Sequence, residues 1–488
     1  METTQAAAST AKGTSRSFSA PYAWYVAVVF ALFFALSFTD RQIIGVLVEP
    51  MRAALMLTDV QIGLIGGLSF ALFFVSFGLP IGRLSDRYNR KRMIVAGIII
   101  WSASTVLCGF ASGFWELLGL RMGVGLGEAT LAPCAYSILA DIFPRNRLGT
   151  ALSVCTMAGS LGMGLAYSGG ATLLHLATAA ANVHGAVSLP LVGDLAPWRI
   201  VFLGVGFPGI VLSLLLFTIQ EPIRPAAGAR AAAIPLSEVI AYVRSNWRTF
   251  VLHNVGMGFI SITGYTASFW DIAFFARTYG WPPAESGRLY GLMAMAGSIV
   301  GALAGGWVSD WLTKRRGRDA KLLVLAVTAA VCIPIRLMYP LMPSRELAIG
   351  LASVALMLVA VPYGVAAAAL QIMVPSRMRG QLTALYFFVQ SLIGLGLGPT
   401  MVGVLTDHLF HNPQMLRYSL ILVGGTAQIL AASLFLSALR VYQTTIVNAS
   451  LEDGRWRVRR ASGAVTSLTQ ECDSRIPPVG HQSEFLEQ

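Results

Sequence analysis

Apolar and polar positions alternate on a scale of tens of residues rather than every two or every three to four. Long runs of Leu, Ile, Val, Ala, Phe and Gly are bounded by charge, Pro or Gly, and their lengths match the roughly 20 apolar residues that a bilayer core demands of a helix. Six such runs lie near 22-48, 60-81, 93-112, 115-140, 149-175 and 199-219, and six more near 250-277, 288-311, 321-341, 346-372, 381-406 and 416-440. They are numbered here as spans one to twelve. The number is even, so both tails fall on one side. The pattern predicts an all-α membrane protein of twelve transmembrane helices in two six-helix bundles. Its parts are a tail over 1-21, a bundle over 22-220, a linker over 221-249, a second bundle over 250-440 and a tail over 441-488. Residues 1-20 are rich in Ala, Ser and Thr and the first apolar run is too long for a signal peptide, so span one is expected to stay in the protein.

Composition narrows the class. With 55% hydrophobic and 12% charged residues among 488, the chain has too little polar surface to cover a soluble core. The formal charge of +12 does not indicate nucleic-acid binding, because the basic residues sit between apolar runs instead of on one soluble face. They set topology. Basic clusters at Arg83, Arg87, Arg90, Lys91 and Arg92, at Arg145 and Arg147, and at Lys314, Arg315, Arg316, Arg318 and Lys321 share a side with both tails. The opposite loops hold only Arg52, Arg199, Arg277, Arg288, Arg336, Arg345 and Arg417, so both termini are expected in the cytoplasm. Arg336, near the end of span nine, is expected to snorkel to the headgroups.

Within the linker, Leu236 to Trp247 reads as an amphipathic helix on the membrane surface. The tail beyond Val441 has few large apolar residues and reads as disordered, with Arg455-Trp-Arg-Val-Arg-Arg460 available to anionic lipid. Five scattered cysteines and six histidines form no ligand spacing, so no disulfide framework, metal or cofactor is expected. His253, at a span start, reads as a capping or interfacial residue.

The halves repeat. Gly82-Arg-Leu-Ser-Asp86 recurs as Gly306-Trp-Val-Ser-Asp310, and Pro144-Arg-Asn-Arg-Leu-Gly149 recurs as Pro375-Ser-Arg-Met-Arg-Gly380. Each pair falls in an equivalent loop, after spans two and eight and after spans four and ten, which argues for duplication. On these motifs the chain resembles the major facilitator superfamily. The family's loop signature G-x-L-x-D-R-x-G-R-K/R is matched by Gly82-Arg-Leu-Ser-Asp86-Arg87-Tyr-Asn89-Arg90-Lys91, with Asn89 in place of the second Gly; Asn tolerates a left-handed turn, so the turn is expected to survive. Span four, Arg121-Met-Gly123-Val-Gly125-Leu-Gly127-Glu128-Ala129, is similar to the family's R-x-x-x-G-x-G-x-A pattern. Span five lacks the Pro of the antiporter motif. Thr39-Asp40-Arg41 with Gly127-Glu128-Ala129 looks like the Spinster-like branch, whose animal members export lysolipids; the resemblance implies an intramembrane proton or charge switch at Asp40 and Glu128.

The residues support that on their own terms. A charge at mid-span costs about 2.5–3.5 kcal/mol on insertion scales, so such groups face a partner or a wet cavity. Asp40, Arg41, Arg121 and Glu128 sum to zero. Asp40 and Arg41 diverge by about 100° on one helix and must look to other spans, while Arg121 and Glu128 share a face two turns apart. A four-member cluster between spans one and four is expected, with Gly123, Gly125 and Gly127 letting a neighbouring backbone come close. Asp271 stands 231 residues after Asp40, the offset of the Pro-Gly repeat, and is the pseudo-symmetric image of Asp40. It is a candidate substrate or cavity group, or else a loop-end acid that reaches water. Tyr265 and Trp270 are candidate aromatic partners of a substrate.

These features favour a secondary transporter that works by alternating access, expected to function as a monomer, over a receptor, a channel or an enzyme. Neither a G-x-x-x-x-G-K-[ST] phosphate loop nor a G-x-S-x-G elbow occurs. Proton coupling through Asp40 and Glu128 is expected, with a lysolipid-like organic anion as substrate; small carboxylates or drugs are the alternative. Gly82, Asp86, Arg87, Arg90, Lys91, Gly306 and Asp310 are expected to gate, the two acids latching the tail side shut. The expected setting is a bacterial inner membrane.

Overall fold

The computed structural model describes residues 18–181, 185–190, 193–222, 235–317 and 319–473, with side chains to residue 454 apart from Leu79, Asp86, Arg145 and Asn146. The side chains of Asp86 and of Arg455 to Arg460 therefore lie outside what is described, as does 223–234 of the linker.

Among the described residues, ten helical segments are long and apolar enough to cross a membrane. The other two expected spans are also helical. Span seven is Trp247–Tyr279, whose hydropathy is diluted by His253, Asn254 and Asp271. Span four is broken: Phe114–Glu128 and Leu131–Ile142 meet at Ala129 and Thr130.

Local chemistry sets the ends. Span one, Ala20–Leu55, starts on Pro21, where a missing N–H costs nothing, and stops where Met56 turns left-handed at φ 52°. Span two follows after a capping box in which Thr58 and Gln61 satisfy each other's backbone N–H. Asn89 does not take the expected left-handed turn. It stands at φ −68° and its side chain accepts from Arg92 N at 2.8 Å, capping span three, Arg90–Cys108. Asn serves here because its carboxamide can cap, a role the glycine of the family signature cannot fill.

Two further expectations fail for one reason, that partners lie in distant segments. The chain from Val441 to Asp473 is helix: span twelve runs from Leu416 to Asp473. Tyr442 donates to Ala369 O, Thr445 meets Thr249 at 2.7 Å and Asp453 accepts from Ser376 N, so this segment is held by hydrogen bonds together with the burial of Tyr442, Ile446 and Ala449. His253 is fully buried, with Nε2 3.1 Å from Ala366 O and Nδ1 3.0 Å from Asn254 Oδ1. The linker helix Leu236–Ser245 is present, and its Tyr242 is buried and donates to Met373 O.

Three apolar cores organise the bundle. One, at the end away from the tails, joins both halves, with Ile44, Leu47, Tyr167 and Phe202 against Trp270, Phe274, Tyr290 and Tyr339. Towards the tails, a second core is built mainly from the N-terminal half, including Phe30, Phe33, Trp101 and Ile138. The third belongs to the C-terminal half, including Met257, Leu325, Phe435 and Tyr442. Shared packing at one end and separate cores at the other describe two halves closed together on the far side. A short hairpin, Val187–Leu189 with Gly193–Leu195, caps the loop between spans five and six.

Candidate functional site: a charge cluster between two halves

Spans one and four bring the four mid-span charges together as two crossed pairs. Arg121 Nη1 donates to Asp40 Oδ1 at 2.8 Å, and the Thr105 hydroxyl donates to the other oxygen of Asp40. One residue along, Arg41 Nε donates to Glu128 Oε2 at 2.7 Å, and Ser37 donates to the same oxygen at 2.6 Å. Adjacent residues on one helix reach the same neighbour because Asp40 points directly at span four. The longer Arg41 swings over the rings of Phe74, Phe70 and Phe38, at 4.4, 5.1 and 5.3 Å. Tyr265 of span seven stands beside the Arg41–Glu128 pair, so the other half looks onto the cluster.

The glycines of span four receive spans two and three. A Cβ on Gly125 would lie 2.6 Å from the carbonyl oxygen of Phe70, and one on Gly127 would lie 2.5 Å from that of Gly97. That close approach presses Phe70 and Phe74 against the arginines.

Not every valence is filled. Nε and Nη2 of Arg121 and Oε1 of Glu128 are buried without a hydrogen-bond partner, and a buried donor left unpaired costs about 1–3 kcal/mol. The cluster is therefore poised for polar groups that complete it, donors and acceptor alike.

Asp271 is not a loop-end acid. It is fully buried, with Tyr290 donating to Oδ2 at 2.9 Å and Tyr339 to Oδ1 at 2.8 Å. Arg336 does not snorkel: it is 1% exposed, donates to Thr263 O at 3.3 Å and lies 5.0 Å from the Tyr339 ring. A last-turn arginine is drawn inward here by a carboxylate, a carbonyl and an aromatic face. Trp270 is also fully buried, its indole donating to Pro399 O at 3.0 Å, which ties span seven to span eleven.

On the far side an ion network closes the two halves. Arg277 of span seven donates to Asp59 with both terminal nitrogens, at 2.6 and 2.8 Å, and through Nε to Glu49 at 2.7 Å. Asp407 of span eleven accepts from Val60 N at 2.7 Å. Nothing in the sequence separated Arg277 from the topology-setting arginines at other span ends.

On the tail side, the loop residues serve their own half. Arg90 pairs with Asp141 and Glu221, and Lys91 Nζ donates to Ile219 O at 2.8 Å, joining spans three, four and six. Arg87 is exposed, and Asp310 is 76% exposed and lies 3.5 Å from Lys321. At Gly82 and Gly306 the space that a Cβ would fill is open. Among the described residues no group of three or more His, Cys, Asp or Glu is placed to hold a metal.

A family model, "Major Facilitator Superfamily", matches residues 30–399. The chain belongs to that superfamily. Within it the chain is similar to an efflux pump and to Spinster proteins. It is 27% identical over 433 residues to an "MFS-type efflux pump" of Mycolicibacterium smegmatis, covering 87% of this chain and 94% of that one. It is 26% identical over 405 residues to "Protein spinster homolog 3" of Danio rerio, covering 79% and 77%. The solved structure of a bacterial homolog of the human lysosomal transporter Spinster, inward-facing and unoccupied, is similar at a TM-score of 0.72 and 27% identity, covering 89% and 99%. The protein is a multi-pass membrane transporter of this superfamily.

Proposed function

We propose that this transporter couples proton movement, through Asp40 and Glu128, to transport of an amphipathic organic anion of lysolipid type. The observation that carries the reading is the incomplete charge cluster. Arg121 offers two buried, unpartnered N–H groups to an anionic headgroup, and the rings of Phe38, Phe70 and Phe74 lie alongside for an apolar portion. Glu128 Oε1, likewise unpartnered, is an acceptor for a proton or a substrate hydroxyl. The Spinster relationship points to the same chemistry.

The halves alternate access around this cluster. With the basic loops in the cytoplasm, the far side closed by Arg277 is the outside and the arrangement is open inward. Asp86 and Asp310 latch the cytoplasmic side in the opposite state; the exposure of Asp310 and the open space beside Gly82 and Gly306 fit a latch that is undone. The protein works as a monomer in a bacterial inner membrane.

A second reading is efflux of drugs or small carboxylates, and the likeness to a mycobacterial efflux pump favours it. Competition binding to purified protein separates the two. The lysolipid reading expects long-chain lysophosphatidate to compete below its micelle concentration, and it fails if only a short carboxylate such as lactate does.

A further inference from the structure

We propose that Asp271 is a second proton-binding carboxyl, seated in the C-terminal half and linked through Tyr290 and Tyr167 to the helix that carries the charge cluster of the N-terminal half. This deepens the proton-coupled reading above and rests on it.

The argument starts from the difference between two pseudo-symmetric acids. Asp40 is held directly by an arginine, with Arg121 Nη1 at 2.8 Å. Asp271 is held by two neutral phenols, and Arg336 reaches it only across Tyr339, with no direct ion pair between them among the described residues. Arginine is donor-only, so a proton placed on the oxygen it faces leaves that N–H without its acceptor. A phenol both donates and accepts. If Asp271 takes a proton from a hydronium ion onto Oδ1 or Oδ2, leaving water, it can donate that proton to one tyrosine oxygen while the other tyrosine goes on donating to the second carboxyl oxygen. One phenolic O–H is then released. The proton leaves by the reverse step, and no other bond is made or broken.

The charged and titratable groups around Asp271 come from several elements. Tyr290 comes from span eight, and Tyr339 and Arg336 from span nine, with Cys332 one turn before Arg336. Tyr167, from span five of the other half, packs edge-on to Tyr290 at 5.2 Å between ring centres. Span twelve contributes backbone: a Cβ on Gly424 would lie 3.2 Å from Arg336 Nη2, so Arg336 has little room to retreat on that side. Protonation thus reverses one of the two hydrogen bonds that tie span seven to spans eight and nine and frees a phenolic O–H for another acceptor, while Arg336 stays put.

Tyr167 makes the connection between halves. Its hydroxyl lies 3.0 Å from Gln42 Oε1 and donates to the carbonyl of Ser268, three residues before Asp271. Gln42 follows Asp40 and Arg41 on span one. The chain Asp271, Tyr290, Tyr167, Gln42 joins Asp271 to span one, the helix that carries Asp40 and Arg41, through contacts that cross the seam, so a proton at Asp271 and the state of the halves bias one another.

Infrared difference spectroscopy of the purified protein in lipid, titrated in H2O and in D2O without substrate, tests this. A carbonyl-stretch band of a buried protonated carboxylic acid should titrate, shift on deuteration and be absent in Asp271→Asn. In Tyr339→Phe, which keeps the acid and removes one partner, the band should persist at a changed frequency and midpoint; this second variant guards against a misfolded Asp271→Asn. A band unchanged in Asp271→Asn but lost in Asp40→Asn or Glu128→Gln overturns the inference and leaves the proton-coupled reading standing. A Tyr339→Phe band identical to wild type also overturns it. No titrating band in any folded form overturns both.

Discussion

Removing Arg277 should open the far side, and the structure sets the size of the effect. Its guanidinium is 4% exposed and holds Asp59, which is fully buried, through two bonds, and Glu49 through a third. Arg52 also approaches Asp59, at 3.4 Å, but is itself one-third exposed and offers a single longer contact. In Arg277→Ala the closed state must keep Asp59 buried with that weak partner alone, whereas in the open state water reaches it. Breaking a buried pair by deleting one partner costs about 3–5 kcal/mol, which is on the order of 10²- to 10⁴-fold in the equilibrium between states. The penalty falls on the closed state alone because Arg277 belongs to span seven and Asp59 to span two. A cysteine at Thr400, whose hydroxyl donates to Gly63 O across the same seam at 3.2 Å, reports opening through its rate of labelling by a membrane-impermeant maleimide, in a background freed of native cysteines. The rate should rise at least tenfold in Arg277→Ala and remain near wild type in Arg52→Ala. Equal labelling in folded wild type and Arg277→Ala refutes the gate.

Asp40→Asn should abolish accumulation driven by a pH gradient in proteoliposomes while leaving part of downhill exchange, and Glu128→Gln should do the same; either variant still concentrating substrate removes that acid from the coupling scheme. Asp86→Asn should raise the cytoplasmic accessibility of a cysteine at Thr383, since it weakens the latch of the outward-open state; an unchanged rate in folded protein defeats the latch. Gly125→Ala should cost about 1–3 kcal/mol, because its Cβ would meet backbone that cannot yield, whereas Gly82→Ala, with open space beside it, should stay within about 0.5 kcal/mol; thermal unfolding in detergent compares them.

The membrane explains which parts of the site were legible. Lipid screens charge out of mid-span positions, so Asp40, Arg41, Arg121 and Glu128 stood out against an apolar background, and the structure pairs all four. Hydroxyls carry no such signal. Thr105, Tyr167, Tyr290 and Tyr339 are ordinary residues for a span, and only the fold places them on Asp40, Gln42 and Asp271. Charges at span ends are ambiguous in another way, because the headgroup region accepts them without a partner. Arg277 and Arg336 looked alike in sequence; one joins the two halves and the other is buried beside a tyrosine. The polar stretch after Val441 misled because its partners, Ser376 and Thr249, lie 77 and 196 residues away.

Where the halves meet, the backbone itself departs from the regular helix. Wide π turns occur at Leu64–Leu68 in span two, Leu165–Gly169 in span five, and Leu392–Leu397 and Leu405–Leu409 in span eleven. Such turns give up regular hydrogen bonding and recur at functional positions. Each one here places a contact across the seam. Gly67 takes its position 2.9 Å from Leu395 O as measured to a Cβ it lacks, Tyr167 reaches Ser268, Ser168 donates to Arg288 O, and Asp407 takes Val60 N. Straight helices packed this tightly would favour one arrangement. Turns that are already distorted can change register locally, so the seam has places to bend that lie outside the charge cluster. The helices that carry the Asp40–Arg121 and Arg41–Glu128 pairs, Ala20–Leu55 and Phe114–Glu128, hold no such turn, so the distorted backbone lies beside the cluster and not within it.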